Sequence, residues 1–278
     1  MSNFTRVYFP GLGIDFDLPS VAFTIGSYDI HFYGIIIAFG FMLAVLYGGR
    51  MAYKWRMSLD GMTDVLIWGT VFGIVCARAY YVIFEWDYYK ENLLQIFNLR
   101  AGGLAIYGGV IAGAITMIVY TRVKKVSFFS MADTGVLGLV TGQIIGRWGN
   151  FFNCEAFGGY TDSLLAMRIK RSLVNDNMLN ADVLSHKIVE NGVEFIQVHP
   201  TFLYESCWNL CLLIFMLWFR KYKKYDGQMF WIYLFGYGTG RFWIENLRTD
   251  QLILFGTGLA VSQALSLVLI LVAAGNLI

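Results

Sequence analysis

Seven predominantly apolar stretches follow one another along the chain, separated by polar connections. They are Ile30–Gly49, Val65–Phe84, Gly102–Thr121, Thr134–Cys154, Phe202–Phe219, Gln228–Leu247 and Leu252–Ile278. A helix needs about 20 mostly apolar residues to cross the hydrocarbon core of a bilayer. The pattern therefore predicts an all-α polytopic membrane protein with about seven transmembrane helices.

Basic residues are concentrated in alternate connections. Those after the first, third and fifth stretches contain ten: Arg50, Lys54, Arg56, Arg122, Lys124, Lys125, Arg220, Lys221, Lys223 and Lys224. The short connections on the other side contain Lys90, Arg100 and Arg248. Because cytoplasmic loops are enriched in Lys and Arg, we expect the N-terminus outside and the C-terminus in the cytoplasm.

The connection 156–201 is long and polar, and it falls on the extracytoplasmic side in this topology. Two short pieces within it, Ala166–Leu173 and Val193–Val198, alternate apolar and polar residues as β-strands do. We therefore predict a small extracytoplasmic α/β head at 156–201. Residues 1–155 and 202–278 would together form one integrated membrane domain.

Composition supports the membrane assignment and narrows the possible chemistry. The chain is 57% apolar and 14% charged, whereas soluble domains carry about 25% charged residues. The net charge of +2 gives no indication of nucleic-acid binding. The cysteines, at 76, 154, 207 and 211, form no CxxC pair or zinc-type spacing. We expect no metal and no organic cofactor.

The fourth stretch ends in a polar cluster, which includes Arg147, Asn150, Asn153 and Glu155. An Arg at membrane depth costs about 2.5–3.5 kcal/mol on insertion scales. Spacings of three and eight would put Arg147, Asn150 and Glu155 on one face if the helix continues. Arg147 could simply pair with an acid and lock two helices. The neighbouring glycines and amides favour a polar cavity for an anion, and a lipid phosphate is the anion commonest in membranes.

Further charged residues lie in the second and sixth stretches. Arg241, Glu245 and Arg248 are spaced by four and three, and one Glu leaves excess positive charge beside two Arg. Arg78 could extend to the interface or pair with an acid such as Glu205. Structural and functional roles both remain open for Arg78.

Four aromatic or imidazole residues could move protons or bind a head group. Tyr107 lies between two Gly pairs, and His31 and Tyr33 open the first stretch. His199 follows the predicted head. A packed aromatic residue or a hydrogen-bonded structural histidine is the alternative in each case.

Five motifs, taken together, resemble the bacterial prolipoprotein diacylglyceryl transferases over nearly the whole chain. They are HFYG at His31–Gly34, GGLAIYGG at Gly102–Gly109, GRWGNFFNCEAFG at Gly146–Gly158, HPTFLYE at His199–Glu205 and GYGTGRFWIENLRTD at Gly236–Asp250. The pattern GRxGNFxNxExxG is a specific signature. The chain departs from familiar members at Tyr107, where they carry His, and at Phe202, where Gln is common.

The resemblance implies transfer of a diacylglyceryl group from phosphatidylglycerol to the lipobox Cys thiol of a preprolipoprotein signal peptide, with release of glycerol phosphate. It implies a multi-pass protein of the bacterial cytoplasmic membrane whose cavity faces the extracytoplasmic side. We assign catalysis to Arg147, Arg241 and Tyr107. Substrate binding is assigned to His31, Tyr33, Arg78, Arg147, Asn150, Asn153, Glu155, Gly158, Glu205, Glu245 and Arg248.

Two other functions fit parts of the pattern. One is a family member that binds lipid without turnover. Tyr107 motivates this alternative, because a Tyr is a poor base at neutral pH. Intramembrane Arg and Gly-rich spans also suit a transporter of an anionic lipid, although the chain shows no inverted repeat.

Overall fold

The computed structural model describes residues 4–55, 58–99, 102–254 and 258–278, and most of these residues are helical. The helices are α1 (Phe32–Lys54), α2 (Leu59–Phe84), α3 (Trp86–Tyr89), α4 (Ile106–Lys124), α5 (Phe128–Phe152), α6 (Ala181–Ser185), α7 (Thr201–Phe219), α8 (Gln228–Glu245) and α9 (Val261–Leu277). By length and hydropathy, α1, α2, α4, α5 and α7 could each cross a membrane, and α9 is a shorter apolar helix. The prediction of a mainly helical, polytopic membrane protein is confirmed.

Two predicted helices begin later than the hydrophobic pattern indicated. α4 starts at Ile106 because Gly102 and Gly103 adopt φ values of 82° and 79°, which a right-handed helix excludes. α9 starts at Val261, after an isolated β-bridge between Ile253 and Ala260. The predicted starts at Gly102 and Leu252 are therefore wrong. Residues 56, 100 and 255–257, which include two of the basic residues used for topology, lie outside the described ranges.

The chain divides into two compact units, one of which is Gly48–Gly135. In this unit α4 lies against α2 with little space between the backbones. A Cβ added at Gly108 would lie 2.4 Å from the carbonyl oxygen of Cys76 and 2.8 Å from Cα of Ala77. Small residues permit such close helix contacts in membranes. Near the other end of the unit, Ala52, Met62 and Met131 form a buried apolar cluster.

The other unit, Met1–Tyr47 with Val136–Ile278, contains a five-stranded antiparallel sheet. Its strand order is β2 (Ile14–Pro19), β1 (Phe4–Phe9), β5 (Met167–Lys170), β7 (Val193–Val198) and β6 (Ile188–Glu190). The strand predicted at 193–198 is present as β7. The one predicted at 166–173 is present only as β5, because Arg171–Leu173 form a 3-10 turn. The pairing of β1 with β5, in which Val7 faces Ile169, was not predicted. The sheet of the head thus recruits the N-terminal residues as well.

The sheet shares its apolar core with two helix ends. Ile169 and Ile196 are fully buried, and Phe151 near the end of α5 and Phe202 at the start of α7 pack in the same cluster. The rings of Phe151 and Phe202 stack with centroids 4.8 Å apart. Burial of these rings fixes the end of α5 beside the start of α7, where the motifs Gly146–Gly158 and His199–Glu205 lie.

The remaining strands form a hairpin ahead of α1, with β3 (Val21–Ile25) paired to β4 (Tyr28–His31). α1 then lies against α5. A Cβ at Gly138 would be 2.5 Å from the carbonyl oxygen of Ala44. A Cβ at Gly149 would be 2.9 Å from the ring of Tyr33. These glycines let α1 and α5 approach closely along their length.

Candidate functional site

The C-terminal end of α5 places Glu155 beside Asn150. The amide of Glu155 donates to the carbonyl of Asn150 at 3.0 Å, and that of Cys154 donates to Phe151 at 3.2 Å. Cys154 itself has φ 52°. A left-handed residue with a 6→1 and a 5→2 backbone hydrogen bond is the Schellman motif, which ends a helix. The helix therefore stops at Phe152, and the condition under which Arg147, Asn150 and Glu155 would share one helical face is not met.

The side chain of Asn150 nevertheless connects Arg147 to Glu155. Arg147 Nη1 donates to Oδ1 of Asn150 at 3.3 Å, and Asn150 Nδ2 donates to Oε1 of Glu155 at 2.9 Å. Asn153 Nδ2 reaches the same glutamate oxygen at 3.4 Å. The predicted grouping thus arises from the turn after α5, with Asn150 as the link between the two charges.

Glu205, in the first turns of α7, is the acid that receives two arginines from different helices. Arg147 Nη2 lies 2.6 Å from its Oε2, and Arg241 Nη1 of α8 lies 2.7 Å from its Oε1. The Glu205 side chain is 4% exposed. Since a buried carboxylate is stable only when paired and hydrogen-bonded, α5, α7 and α8 are held together at this point.

Arg241 forms a second ion pair within its own helix. Its Nη2 contacts Oε2 of Glu245, one turn further along α8. The i, i+4 spacing expected from the sequence is therefore realised as a buried pair. The side-chain amide of Gln251 donates to the backbone carbonyl of Glu245.

Arg248 lies beyond α8 and pairs with a residue that the sequence analysis did not assign. Its Nε and Nη2 donate to the two oxygens of Asp250 at 2.9 and 2.7 Å, a bidentate geometry. Its Nη1 lies 3.9 Å from Oε1 of Glu205. Burial opposes the charged form of Arg248, but Asp250 outweighs it, so the pKa of Arg248 is raised. Burial likewise opposes ionisation of Asp250, yet Arg248 lowers the pKa of that carboxyl.

We call these six residues, Arg147, Arg241, Arg248, Glu205, Glu245 and Asp250, the arginine–carboxylate cluster. Three guanidinium groups face three carboxylates in it, so the predicted excess of positive charge is wrong. Within the described ranges, no protein group accepts a hydrogen bond from Nε of Arg147 or Arg241. The Nη atoms of Arg241 contact Glu205 and Glu245, whereas those of Arg147 contact Glu205 and the amide oxygen of Asn150. Each of these arginines therefore keeps its Nε donor available.

A backbone strap holds the loop after α5 to the loop after α8. Gly158 N donates to the carbonyl of His199 at 2.9 Å, Gly159 N donates to Leu247 at 2.8 Å, and His199 N donates to Gly159 at 3.0 Å. A Cβ at Gly158 would lie 2.7 Å from the carbonyl oxygen of Leu247 and 2.8 Å from Cβ of His199. Gly158 therefore permits the close approach that positions Arg248, which follows Leu247.

Indole groups reinforce the contacts among the same three helices. Trp148 Nε1 donates to Oγ of Ser206 at 3.2 Å, and that hydroxyl donates to the carbonyl of Ile144 at 3.0 Å. Trp208 Nε1 donates to the carbonyl of Gly236 at 2.8 Å. Sequence reasoning missed these residues, because a Trp or Ser in an apolar stretch gives no signal for a helix-to-helix contact.

Two further predicted site residues lie before or at the start of α1. Tyr33 packs its ring against Gly149 of α5, two residues from Arg147 along the chain. His31 lies in the exposed β3–β4 hairpin, opposite Val21. The structure thus brings Tyr33 to the helix that carries the signature, and it leaves His31 on a hairpin ahead of the helix.

Arg78 and Tyr107 belong to the unit Gly48–Gly135. All five N–H groups of Arg78 donate to backbone carbonyls, those of Gln95, Ile96, Asn98, Gly102 and Gly103. The suggested pairing of Arg78 with Glu205 is therefore wrong. Tyr107 lies in the first turn of α4 and is partly buried.

In the part of the chain that the structure describes, no group of three or more His, Cys, Asp and Glu side chains could hold a metal ion. The chemistry available at the arginine–carboxylate cluster is that of charge pairing and hydrogen bonding. Guanidinium groups bind carboxylate and phosphate oxygens in forked geometry. The arrangement is suited to holding an anion next to groups that keep the arginines oriented.

Comparison with known proteins gives one consistent family. The profile of the family described as prolipoprotein diacylglyceryl transferase matches residues 20–278. A phosphatidylglycerol–prolipoprotein diacylglyceryl transferase of Clostridioides difficile is 43% identical over 248 residues, 89% of this chain and 90% of the relative. Proteins of the same name from Lysinibacillus sphaericus and Bacillus cytotoxicus are each 40% identical, over 93% and 92% of this chain and 90% of their own lengths. The chain belongs to the prolipoprotein diacylglyceryl transferase family.

Proposed function

We propose that this protein is a transferase that moves the diacylglyceryl group of phosphatidylglycerol to the lipobox Cys thiol of a preprolipoprotein. The bond between the diacylglycerol carbon and the phosphate oxygen breaks, a thioether forms, and glycerol phosphate leaves. The thiol proton is lost to a base or to solvent. The names of the relatives support this activity. The observation that carries it here is the pair Arg147 and Arg241, fixed on one buried carboxylate within the family signature.

The two arginines would act on the leaving group. Negative charge grows on the phosphate oxygens as the carbon–oxygen bond breaks, and preorganised donors stabilise such charge most effectively in a site that excludes water. Arg147 and Arg241 each retain a donor edge at Nε for a phosphate oxygen. Glu205 and Glu245 would hold the guanidinium planes in place, and Asn150 with Glu155 would do so for Arg147 from the other side.

The net charge of the arginine–carboxylate cluster also affects substrate binding. The arginine–carboxylate cluster is formally neutral, so a phosphodiester anion brings one negative charge to it. The Nε groups of Arg147 and Arg241 would donate to this charge, while their Nη atoms stay on Glu205, Glu245 and Asn150.

The acceptor thiol must become a thiolate, since the thiolate is the nucleophile and a free thiol has a pKa of about 8.5. Nearby guanidinium groups would lower that pKa. Tyr107, His31 or a water molecule would complete proton removal. A phenol is a weak base at neutral pH, so we assign Tyr107 the role of a hydrogen-bond donor or proton relay.

We further propose the orientation that the basic connections indicate, with the N-terminus outside and the C-terminus in the cytoplasm. The protein would lie in the bacterial cytoplasmic membrane, with its cavity open to the extracytoplasmic side. The head would then lie over the outer surface and help receive the signal peptide that carries the lipobox. In this proposal residues 156–201 form the head and residues 1–155 and 202–278 form the membrane domain, with β1 and β2 of the first segment added to the sheet of the head.

The test measures glycerol phosphate release from phosphatidylglycerol in vesicles, with and without a lipobox peptide. A peptide with Ser in place of the lipobox Cys is the matched control. Release that requires the Cys peptide, together with a thioether product, supports the transferase. Phosphatidylglycerol binding without release by folded protein would instead favour a lipid-binding member, and movement of intact lipid between leaflets would favour a transporter.

A further inference from the structure

All N–H groups of the Arg78 guanidinium donate to backbone carbonyls of the short segment between α3 and α4. Nη2 donates to Gln95 and Asn98 at 2.6 and 3.1 Å, and Nε donates to Ile96 at 2.8 Å. Nη1 donates to Gly102 and Gly103 at 2.7 and 2.9 Å. A guanidinium has five N–H groups, and all are used. Arg78 therefore has no donor left for a lipid phosphate.

These hydrogen bonds satisfy two sets of polar groups, the guanidinium of Arg78 and the backbone carbonyls of the segment that follows α2. A buried guanidinium requires partners, and Arg78 is 5% exposed. Backbone carbonyls outside a helix also require partners, because non-helical backbone near a bilayer is stable only where its polar groups are satisfied. Arg78 and the segment before α4 satisfy each other.

The path of the segment is defined by contact with Arg78 as well as by hydrogen bonds. Gly103 has φ 79°, and a Cβ there would lie 2.4 Å from Nη1 of Arg78 and 2.8 Å from the ring of Tyr81. Both the backbone conformation and the available space therefore demand glycine at this position.

The same part of α2 also fixes the start of α4. Ala105 N donates to the carbonyl of Ala77 at 3.0 Å. Gly108 lies so close to α2 that an added Cβ would be 2.4 Å from the carbonyl of Cys76. Tyr107 lies between these two points. Any change in the segment that Arg78 holds is thus passed to the first turn of α4.

We propose that Arg78 is a positioning residue that acts through Tyr107, rather than a substrate ligand. It holds the carbonyls of the segment before α4, and the segment holds the phenol in place. The inference rests on the proposed transferase function, in which Tyr107 takes part in thiol activation.

A double-mutant cycle tests this coupling in the full-length protein. Arg78→Lys keeps the charge and supplies at most three donors. We expect it to lower kcat about 100-fold with little change in KM for phosphatidylglycerol, as a misplaced reacting group does. The double variant Arg78→Lys/Tyr107→Phe should be no slower than Tyr107→Phe alone. Losses that multiply, a fully active Arg78→Lys, or a fully active Tyr107→Phe would each overturn the proposal.

A second pair of variants disturbs the same contact from the other side, in case Arg78→Lys does not fold. Gly103→Ala places a methyl group against Arg78, whereas Gly113→Ala in α4 has open space within 4 Å. We expect the kcat loss and its dependence on Tyr107 only for Gly103→Ala. Equal effects of the two alanines would overturn the proposal.

Hydrogen–deuterium exchange separates failure of this inference from failure of the proposed function. Exchange at residues 102–109 should accelerate in Arg78→Lys or Gly103→Ala and remain unchanged in Gly113→Ala. If the wild type forms no thioether, the transferase proposal fails, and exchange alone decides whether Arg78 holds the segment. Unchanged exchange at 102–109 would refute that role.

Discussion

Arg147 Nη2 lies 2.6 Å from Oε2 of Glu205, and this ion pair joins α5 to α7 inside the protein. The other oxygen of Glu205 faces Arg241 of α8 at 2.7 Å. α5 and the consecutive helices α7 and α8 thus meet on one carboxylate. The same contacts that join the helices also orient the two guanidinium groups proposed to hold the phosphate.

Glu205→Gln should lower the thermal stability of the purified protein strongly. Removal of one partner from a buried ion pair leaves an uncompensated charge and costs about 3–5 kcal/mol. Glu190→Gln is the matched control, because Glu190 pairs with Arg168 at the same 2.6 Å but is 37% exposed. Exposed pairs contribute about 1 kcal/mol or less. Equal melting temperatures for the two variants, measured in the same detergent, would contradict a central role of Glu205.

Arg147→Ala and Arg241→Ala should each reduce thioether formation at least about 100-fold, since loss of one preorganised donor costs about 3–4 kcal/mol of barrier. Arg147→Lys should recover little, because an ammonium cannot reproduce the forked geometry. Lys90→Ala, which removes an exposed pair with Asp87 at 2.5 Å, is the control. Full activity of both alanine variants in a membrane assay would refute the phosphate-binding role.

Gly158→Ala should disrupt the backbone strap and weaken activity, because the new Cβ meets Leu247 and His199 at less than 3 Å. Gly159→Ala is a close control, since its nearest neighbour is the Leu247 carbonyl oxygen at 4.0 Å. We expect a loss of thioether formation and faster proteolysis of the loop after α8 only in Gly158→Ala. Identical behaviour of the two variants would show that the strap is dispensable.

Acidification should destabilise the protein partly through His199. Burial lowers the pKa of His199 from its usual 6.5. At a pH between the folded and the unfolded pKa, the unfolded state binds more protons at His199 than the folded state does. The contribution of His199 to the free energy of unfolding is therefore fully present above about pH 6.5 and decreases as the pH falls. Melting temperatures from pH 7.5 to 5.5 should therefore fall less steeply in His199→Gln than in the wild type. His186→Gln, at an exposed histidine, is the control, and equal slopes for wild type and His199→Gln would contradict this account.

Hydrophobic periodicity determined the helical membrane architecture, because about 20 apolar residues in a row have few other stable environments. It also located β5 and β7 by their alternation. The signature around Arg147 and the Arg241–Glu245 spacing identified the correct elements of the site. Local pattern was sufficient for these features because helical and strand periodicities act over a few residues.

The tertiary structure decided which charges meet. The sequence does not show that Glu205 receives Arg147 and Arg241 together, that Asp250 balances Arg248, or that Arg78 binds only carbonyls. These pairings depend on how α5, α7 and α8 pack and on where the chain turns after Phe152 and before Ile106. Ion-pair energies fall with distance and rise with burial, and neither quantity can be read from spacing along the chain. Strands β1 and β2 join the sheet of the head for a similar reason, since strand partners are set by burial of a shared core.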